Sequence, residues 1–232
     1  MKINGGIRYF ERGIDLSIRA MQVQTELMSI ANENIIGFDK VGYQRQEAVV
    51  SSFSEFIGVN GISKTTDTKI GRIAMSENPL DFAIATEGYF QTESDDGVKL
   101  TRDGRFKLDK DGNLLTLDDR RVLSNAGMPI TLPVVPEKVE DVKVDESGLV
   151  KVLDKNTGEL LLAGHIGVVD ANGMIITEPQ VKQGYNEYSN VALQNEFMTM
   201  MPIIRNFDAN RQLFMIQNQN LQKVISQLGS VS

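Results

Sequence analysis

The sequence predicts an α+β protein, in which N- and C-terminal helices form a coiled-coil-like layer beside a central all-β, antiparallel domain. Apolar residues recur with helical spacing at both ends of the 232-residue chain, while the Gly-rich middle alternates short apolar runs with turns. Sustained spacing of three and four residues is typical of a helix that packs lengthwise on another helix. Short apolar runs bounded by Gly, Asp and Asn are typical of antiparallel strands.

The N-terminal segment, about residues 7–36, carries an apolar stripe with a seven-residue period. The stripe consists of Ile7, Ile14, Met21, Met28 and Ile35. Ser17 and Gln24 interrupt the second line of this seam, so the coiled-coil signal is modest. Two interpretations stay open, because the stripe either meets another long helix or covers an ordinary core. Gly37 and Gly42 follow, as expected for a helix C-cap and a bend.

The middle of the chain, from Gly61 to about Gly184, contains a recurring turn unit. The unit occurs as Asp109-Lys110-Asp111-Gly112, Asp145-Glu146-Ser147-Gly148 and Asp170-Ala171-Asn172-Gly173, each time before a short apolar run. Asp and Asn tolerate left-handed backbone and bond to nearby backbone groups, and Gly adopts positive φ without strain. Each unit is therefore predicted to be a hairpin turn that leads into a strand.

The C-terminal segment, from about Ser189 to Leu228, carries a longer apolar pattern. Its positions alternate spacings of three and four, at Phe197, Met200, Ile204, Phe207, Arg211, Phe214, Asn218, Leu221, Ile225 and Leu228. Pro202 lies inside the pattern, so we expect the long helix either to begin near Pro202 or to kink there. The predicted domains are residues 1–60 (N-terminal helix and extension), 61–186 (β-rich domain) and 187–232 (C-terminal helix).

The composition argues against catalysis, cofactors and metals. The chain has one histidine, His165, and no cysteine, which excludes a metal site built from His and Cys clusters. The acidic turns lack the alternating ligands and closing Glu of a calcium loop, and no nucleotide-binding glycine motif occurs. The formal net charge of -7 argues against a nucleic-acid partner, which needs a basic face. We therefore expect no catalytic residue, no cofactor and no metal.

Three stretches carry groups of residues in a fixed order along the chain. The groups are Ala31, Asn32, Gly42 and Tyr43; then Gly88, Tyr89, Phe90, Arg102, Asp103, Gly104 and Phe106; then Ser189, Asn190, Val191, Arg205 and Asn210. In order and spacing these groups resemble the N-terminal, central and C-terminal boxes of the flagellar rod and hook family, the bacterial axial proteins of the hook-basal body. Chain length and a single middle domain resemble most the proximal or distal rod type.

The resemblance implies a structural subunit of the flagellar basal-body rod. Such a subunit polymerises through its terminal helices into a hollow axial drive shaft that transmits torque and lets exported subunits pass. The implied partners are further copies of the chain, other rod and hook proteins, the flagellar type III export apparatus and the ring proteins around the rod. The implied location is the basal body, reached across the inner membrane without a cleaved signal peptide.

The same resemblance makes the helical stripes the expected assembly interface. Its residues would be Ile7, Ile14, Met21, Met28 and Ile35 at the N-terminal end, and Phe207, Phe214, Leu221, Ile225 and Leu228 at the C-terminal end. Two alternatives remain at the level of the sequence. One is a soluble β-domain enzyme, a carboxylate-based hydrolase of the glycosidase kind, with a helical oligomerisation stalk. The other is a binding module on such a stalk.

Overall fold

A computed structural model describes residues 3–51, 61–95 and 97–229, with the side chains of 12–51, 61–95 and 97–227. The chain divides into two compact units. Unit 1 comprises Met1–Ile36, Gln46–Asp67 and Val191–Ser232, and unit 2 comprises Gly37–Arg45 and Thr68–Asn190. The helices are α1 (Ile3–Gly37) and α2 (Leu193–Gly229), and the strands are β1 (Gln46–Val50), β2 (Ile62–Thr66), β3 (Ile73–Met75), β4 (Phe82–Ile84), β5 (Tyr89–Ser94), β6 (Gly97–Thr101), β7 (Phe106–Leu108), β8 (Leu114–Thr116), β9 (Val142–Val144), β10 (Leu149–Leu153), β11 (Leu160–His165), β12 (Val168–Val169), β13 (Val181–Gln183) and β14 (Tyr185–Glu187).

Unit 1 consists of the two long helices and the β1–β2 hairpin, and its helices run antiparallel. Near the end of α1, Asn34 Nδ2 donates to Glu196 Oε2, which lies near the start of α2, over 3.1 Å. Near the start of α1, a Cβ atom on Gly13 would lie only 2.6 Å from the Gln217 side chain of α2. The two contacts are equally far apart on both helices, so the helices stay alongside each other between them.

The predicted coiled-coil-like layer is wrong. The described stripe residues of α1, from Ile14 to Ile35, are only half-buried, whereas Val23 and Ile30 are buried. The described contacts between α1 and α2 involve small or polar residues such as Gly13 and Asn34. They are not the interlocking apolar side chains of a coiled coil. The reason is that two neighbouring rows of α1 repeat every seven residues, and spacing alone does not tell which row faces the core.

Pro202 neither begins nor ends α2. The helix starts at Leu193 and continues through Pro202 to Gly229. Within the part of the chain that the structure describes, neither α1 nor α2 has a stretch long and apolar enough to cross a membrane.

Unit 2 is built from small antiparallel sheets around one core. The sheets have two or three strands each, in the orders β11-β10-β9, β12-β5-β6, β13-β4, β14-β3 and β7-β8. Three phenylalanine rings lie at the centre: Phe106 packs against Phe82 at 5.7 Å and against Phe90 at 5.2 Å between ring centroids. Buried valine, leucine and isoleucine side chains from β4, β8, β9, β10 and β12 complete this core.

The recurring Asp-Gly units form tight turns. In each unit, one carboxylate oxygen of Asp109, Asp145 or Asp170 accepts backbone N–H groups two and four residues further on. The glycine of each unit has a φ between 81° and 83°, which only glycine adopts without strain. The first two turns join β7 to β8 and β9 to β10, while the Asp170 turn leads into a single bridge between Val169 and Ile175.

Candidate assembly surface

The central box of unit 2 is organised around a buried ion pair. The side chains of Arg102 and Glu187 are 1% and 3% exposed, with Arg102 Nη2 2.5 Å from Glu187 Oε2. Arg102 also donates to the backbone carbonyls of Ile84 and Gly88, and Glu187 accepts the backbone N–H of Gly71. Burying an isolated charge is costly, so both charges must stay paired for unit 2 to fold. This cluster is therefore structural.

The glycine of the central box is required by a close approach. A Cβ atom on Gly104 would overlap the backbone carbonyl of Phe82, whereas the φ of Gly104 is not positive. The Phe82 N–H donates to the Gly104 carbonyl over 2.9 Å. Beside this contact Arg105 donates to the Asp103 carboxylate, which raises the pKa of the guanidinium. Each of these contacts holds the connection between β6 and β7.

Residues of all three boxes meet in unit 2. The Gly42 N–H donates to the Glu187 carbonyl over 2.7 Å, and a Cβ on Gly42 would overlap the backbone at Asp103. The Arg45 N–H donates to Asn190 Oδ1 over 2.7 Å. Gly42 thus lies beside Asp103, some 60 residues further along the chain, and Arg45 beside Asn190, 145 residues further along. Glu187, which was not among the predicted site residues, links the N-terminal and central boxes: its carbonyl accepts the Gly42 N–H, and its carboxylate pairs with Arg102.

The remaining box residues fall into buried and exposed groups. Buried are Ala31, Gly88, Phe90, Phe106, Ser189 and Val191; half-buried are Tyr43, Tyr89 and Asn210; exposed are Asn32 and Arg205. Tyr43 packs on Gly37, where a Cβ atom would overlap its ring. The exposed members lie on α1 and α2.

The predicted assembly stripe is mostly half-buried within unit 1. Half-buried residues are Ile14, Met21, Met28, Ile35, Phe207, Phe214 and Leu221; Ile225 is exposed; Ile7 and Leu228 lie outside the described side chains. The structure exposes a different set of large apolar side chains on α2. They are Phe197, Met198, Met201, Ile204, Leu213, Met215, Ile216 and Ile225. Of this set, the assembly prediction contained only Ile225, because a one-residue shift along a helix turns the face by about 100°.

The described residues contain no candidate metal centre. Among them, no group of three or more His, Asp or Glu side chains could hold a metal ion. His165 lies exposed at the end of β11. The turn carboxylates accept hydrogen bonds within their own turns, and these bonds lower the pKa of each group. The largest cause is the Asn113 side chain for Asp109, the Ser147 side chain for Asp145 and the Met174 N–H for Asp170.

Two protein-family models match the chain. The flagellar hook protein FlgE/F/G D1 domain matches residues 83–152, which contain the central box. The flagellar basal body rod FlgEFG protein C-terminal matches residues 182–228, which contain the C-terminal box. Together the two models cover about half of the chain. The chain belongs to the flagellar basal-body rod protein family.

Curated relatives span nearly the full length. The flagellar basal-body rod protein FlgG of Bacillus subtilis is 27% identical, covering 85% of this chain and 90% of that protein. The flagellar basal-body rod proteins FlgF of Mesorhizobium japonicum and Rhizobium meliloti are 26% and 25% identical, covering 88% and 94% of this chain and 90% and 98% of those proteins. The FlgG and FlgF proteins have nearly the same percentage of residues identical to this chain, so sequence identity does not distinguish the two rod types.

Family membership decides the class of function. The family consists of structural proteins, and the chain is a structural subunit of the flagellar basal-body rod, not an enzyme. The hydrolase considered as an alternative has no support from these matches. The chain is accordingly located in the flagellar basal body and assembles there with other rod and hook components.

Proposed function

We propose that this rod subunit polymerises with further copies of itself through the helices of unit 1. The polymer is a hollow axial drive shaft that transmits torque and lets exported subunits pass. The observation that carries the proposal is the apolar surface of α2: eight large apolar side chains are exposed on this one helix. Exposed apolar clusters of this kind mark interaction surfaces in soluble proteins.

The free energy of burying the exposed apolar side chains of α2 favours self-association. Burying one large apolar side chain stabilises a contact by about 1.5–3 kcal/mol relative to leaving it in water. Only Ile203 is buried among the described apolar side chains of α2. A helix of 37 residues on which eight large apolar side chains are exposed has hydrophobic stabilisation still to gain. Neighbouring subunits supply the missing surface.

The charge distribution supports helices as the contact surface. Unit 1 has 9 acidic and 8 basic residues, whereas unit 2 has 22 acidic and 16 basic residues. Copies of unit 1 can therefore approach without strong like-charge repulsion, while the acidic excess lies in unit 2. Within this proposal the predicted stripe, including Ile14, Phe207 and Leu221, contributes its half-exposed area to the interface.

The finer partner assignments follow from the same proposal. The subunit would pass through the flagellar type III export apparatus, be bounded by the ring proteins around the rod, and adjoin rod proteins of the neighbouring type. Family membership and the relatives named rod proteins support these assignments.

A charge insertion on α2 tests the proposal. Leu213→Glu with Ile216→Glu places two carboxylates on the exposed apolar surface. We expect the wild-type chain to form filaments by electron microscopy and sedimentation velocity, and the double variant to stay monomeric. The matched control is Gln212→Glu with Gln219→Glu, which adds the same charge at exposed polar positions of the same helix.

Two outcomes would contradict the proposal. One is a wild-type chain that stays monomeric up to millimolar concentration. The other is a Leu213→Glu, Ile216→Glu variant that assembles like the control. In a strain that lacks this protein, the control variant should restore swimming and the Leu213→Glu, Ile216→Glu variant should not.

A further inference from the structure

Unit 1 contains an uncharged groove between α1, α2 and β1. The groove has a volume of about 430 Å³ and is lined by Leu16, Ala20 and Leu27 on one side and by Asn206 and Ala209 on the other. None of the lining residues is charged, and Leu16 is 46% exposed. A groove with exposed apolar walls suits an occupant whose inserted side chains are apolar.

A buried polar atom in the groove offers an acceptor to an occupant. Gln24 lines the groove, and none of the described residues donates a hydrogen bond to its buried Oε1 atom. A buried acceptor without a donor is unfavourable, because the lost hydrogen bonds to water are not replaced. The occupant that suits the groove therefore brings an N–H or O–H donor next to its apolar side chains.

The opposite face of α2 carries a matching ridge. Phe197, Met201 and Ile204 follow each other at i, i+4 and i+7, so they share one face, and they are 54%, 52% and 39% exposed. At 100° per residue this ridge lies nearly opposite Asn206 and Ala209, which line the groove. Groove and ridge are thus two different surfaces of the same subunit.

We infer that the ridge of one copy inserts into the groove of the next copy. This inference rests on the proposed polymerisation and specifies its contact. The ridge spans roughly 10 Å along α2 and the groove roughly 16 Å along α1, at 1.5 Å per residue. Arg205, exposed next to Ile204, brings guanidinium donors to the flank of the ridge and so to Gln24. Because the two surfaces differ, the contact is heterologous, and a heterologous contact that does not close into a ring generates a filament.

Cysteine cross-linking tests the contact directly, since the chain contains no cysteine of its own. Full-length Met201→Cys and Ala209→Cys chains, distinguished by tags, are mixed and oxidised. We expect a disulfide-linked heterodimer from the mixture and at least about tenfold less dimer from either variant alone. Met198→Cys is the matched control, because Met198 is an exposed methionine of α2 outside the ridge. Mixed with the Ala209→Cys chain, the Met198→Cys control should give background dimer only.

Assembly of blocked variants separates this contact from polymerisation in general. Met201→Gln disables the ridge and Ala209→Phe fills the groove, and each should raise the concentration needed for filaments at least about tenfold. Mixed together, the two variants should form a one-to-one dimer and no filament, because only one functional ridge and one functional groove remain. Met198→Gln should assemble like wild type.

Each contrary outcome points to a specific failure. Wild-type chains that do not assemble would overturn the proposed polymerisation and this contact together. Wild-type filaments with unaffected Met201→Gln and Ala209→Phe variants would overturn only the ridge-and-groove contact. Efficient homodimers of Met201→Cys alone would show a symmetric contact instead. If Ala209→Phe fails to fold by circular dichroism, the cross-linking result decides.

Discussion

The two units of this protein differ in how deeply their phenylalanine side chains are buried. In unit 2, Phe82, Phe90 and Phe106 are all buried, and the Phe106 ring packs against the other two. In unit 1, Phe197 is more than half exposed and Phe207 is only half-buried. Unit 2 therefore has a buried aromatic core, while eight large apolar side chains of α2 are exposed in the part of the chain that the structure describes. The buried phenylalanines of unit 2 stabilise the fold, whereas the exposed apolar residues of unit 1 remain free to contribute to assembly.

Truncating one phenylalanine in each unit should give the largest contrast. Phe106→Ala removes a buried ring from the unit 2 core and should lower the free energy of unfolding by about 3–5 kcal/mol. Phe197→Ala removes an exposed ring and should change it by less than about 0.5 kcal/mol. Urea unfolding of the dilute chain measures both values. If both variants lost the same free energy of unfolding, the proposed difference between the two units would be wrong.

Breaking the buried ion pair should have an effect of similar size. Arg102→Met leaves the Glu187 carboxylate buried without its cation, which should cost about 3–5 kcal/mol. The double variant Arg102→Met, Glu187→Leu removes both charges and should recover part of that loss. The same unfolding experiment measures both variants. A double variant less stable than Arg102→Met would mean that the hydrogen bond from the Gly71 N–H to the Glu187 carboxylate matters more than the unpaired charge.

A charge at Leu221 should affect assembly much more than folding. Leu221→Asp places a carboxylate on the half-buried face of α2, at a desolvation cost above the contribution of one contact. We expect the thermal unfolding of unit 2 to stay nearly unchanged, while filament formation and motility are lost. Gln222→Asp, at the exposed neighbouring position, is the control and should assemble. Normal filaments from Leu221→Asp would remove this face of α2 from the interface.

The smallest expected effect is an acid dependence in unit 2. Hydrogen bonds from Asn113 lower the pKa of Asp109 below its usual 3.8, so its turn contributes stability above that pH and loses it as the pH falls through the folded-state pKa. Asp109→Asn should therefore flatten the loss of stability below pH 3.8. Asp111→Asn in the same turn is the control. The measurement is urea unfolding between pH 5 and 2.5, and identical profiles for wild type and Asp109→Asn would contradict the assignment.

Local features of this protein follow from the sequence by itself. The Asp109, Asp145 and Asp170 turns depend on contacts within five residues, so the identity of those residues suffices to predict them. The family boxes were likewise recognisable from order and spacing, and the matched models contain the central and C-terminal boxes. In both cases the information lies in neighbouring residues and needs no knowledge of the rest of the chain.

Only the tertiary structure decided which distant surfaces meet. Arg102 pairs with Glu187 across 85 positions, and Gly104 is a glycine because the Phe82 backbone lies against it. In α1, the row of Val23 and Ile30 is buried rather than the equally periodic row of Met21 and Met28. Periodicity determines that residues share a helix face, but the choice between neighbouring faces depends on what packs there. That choice is made by the free energy of burying one surface against another, which no single segment contains.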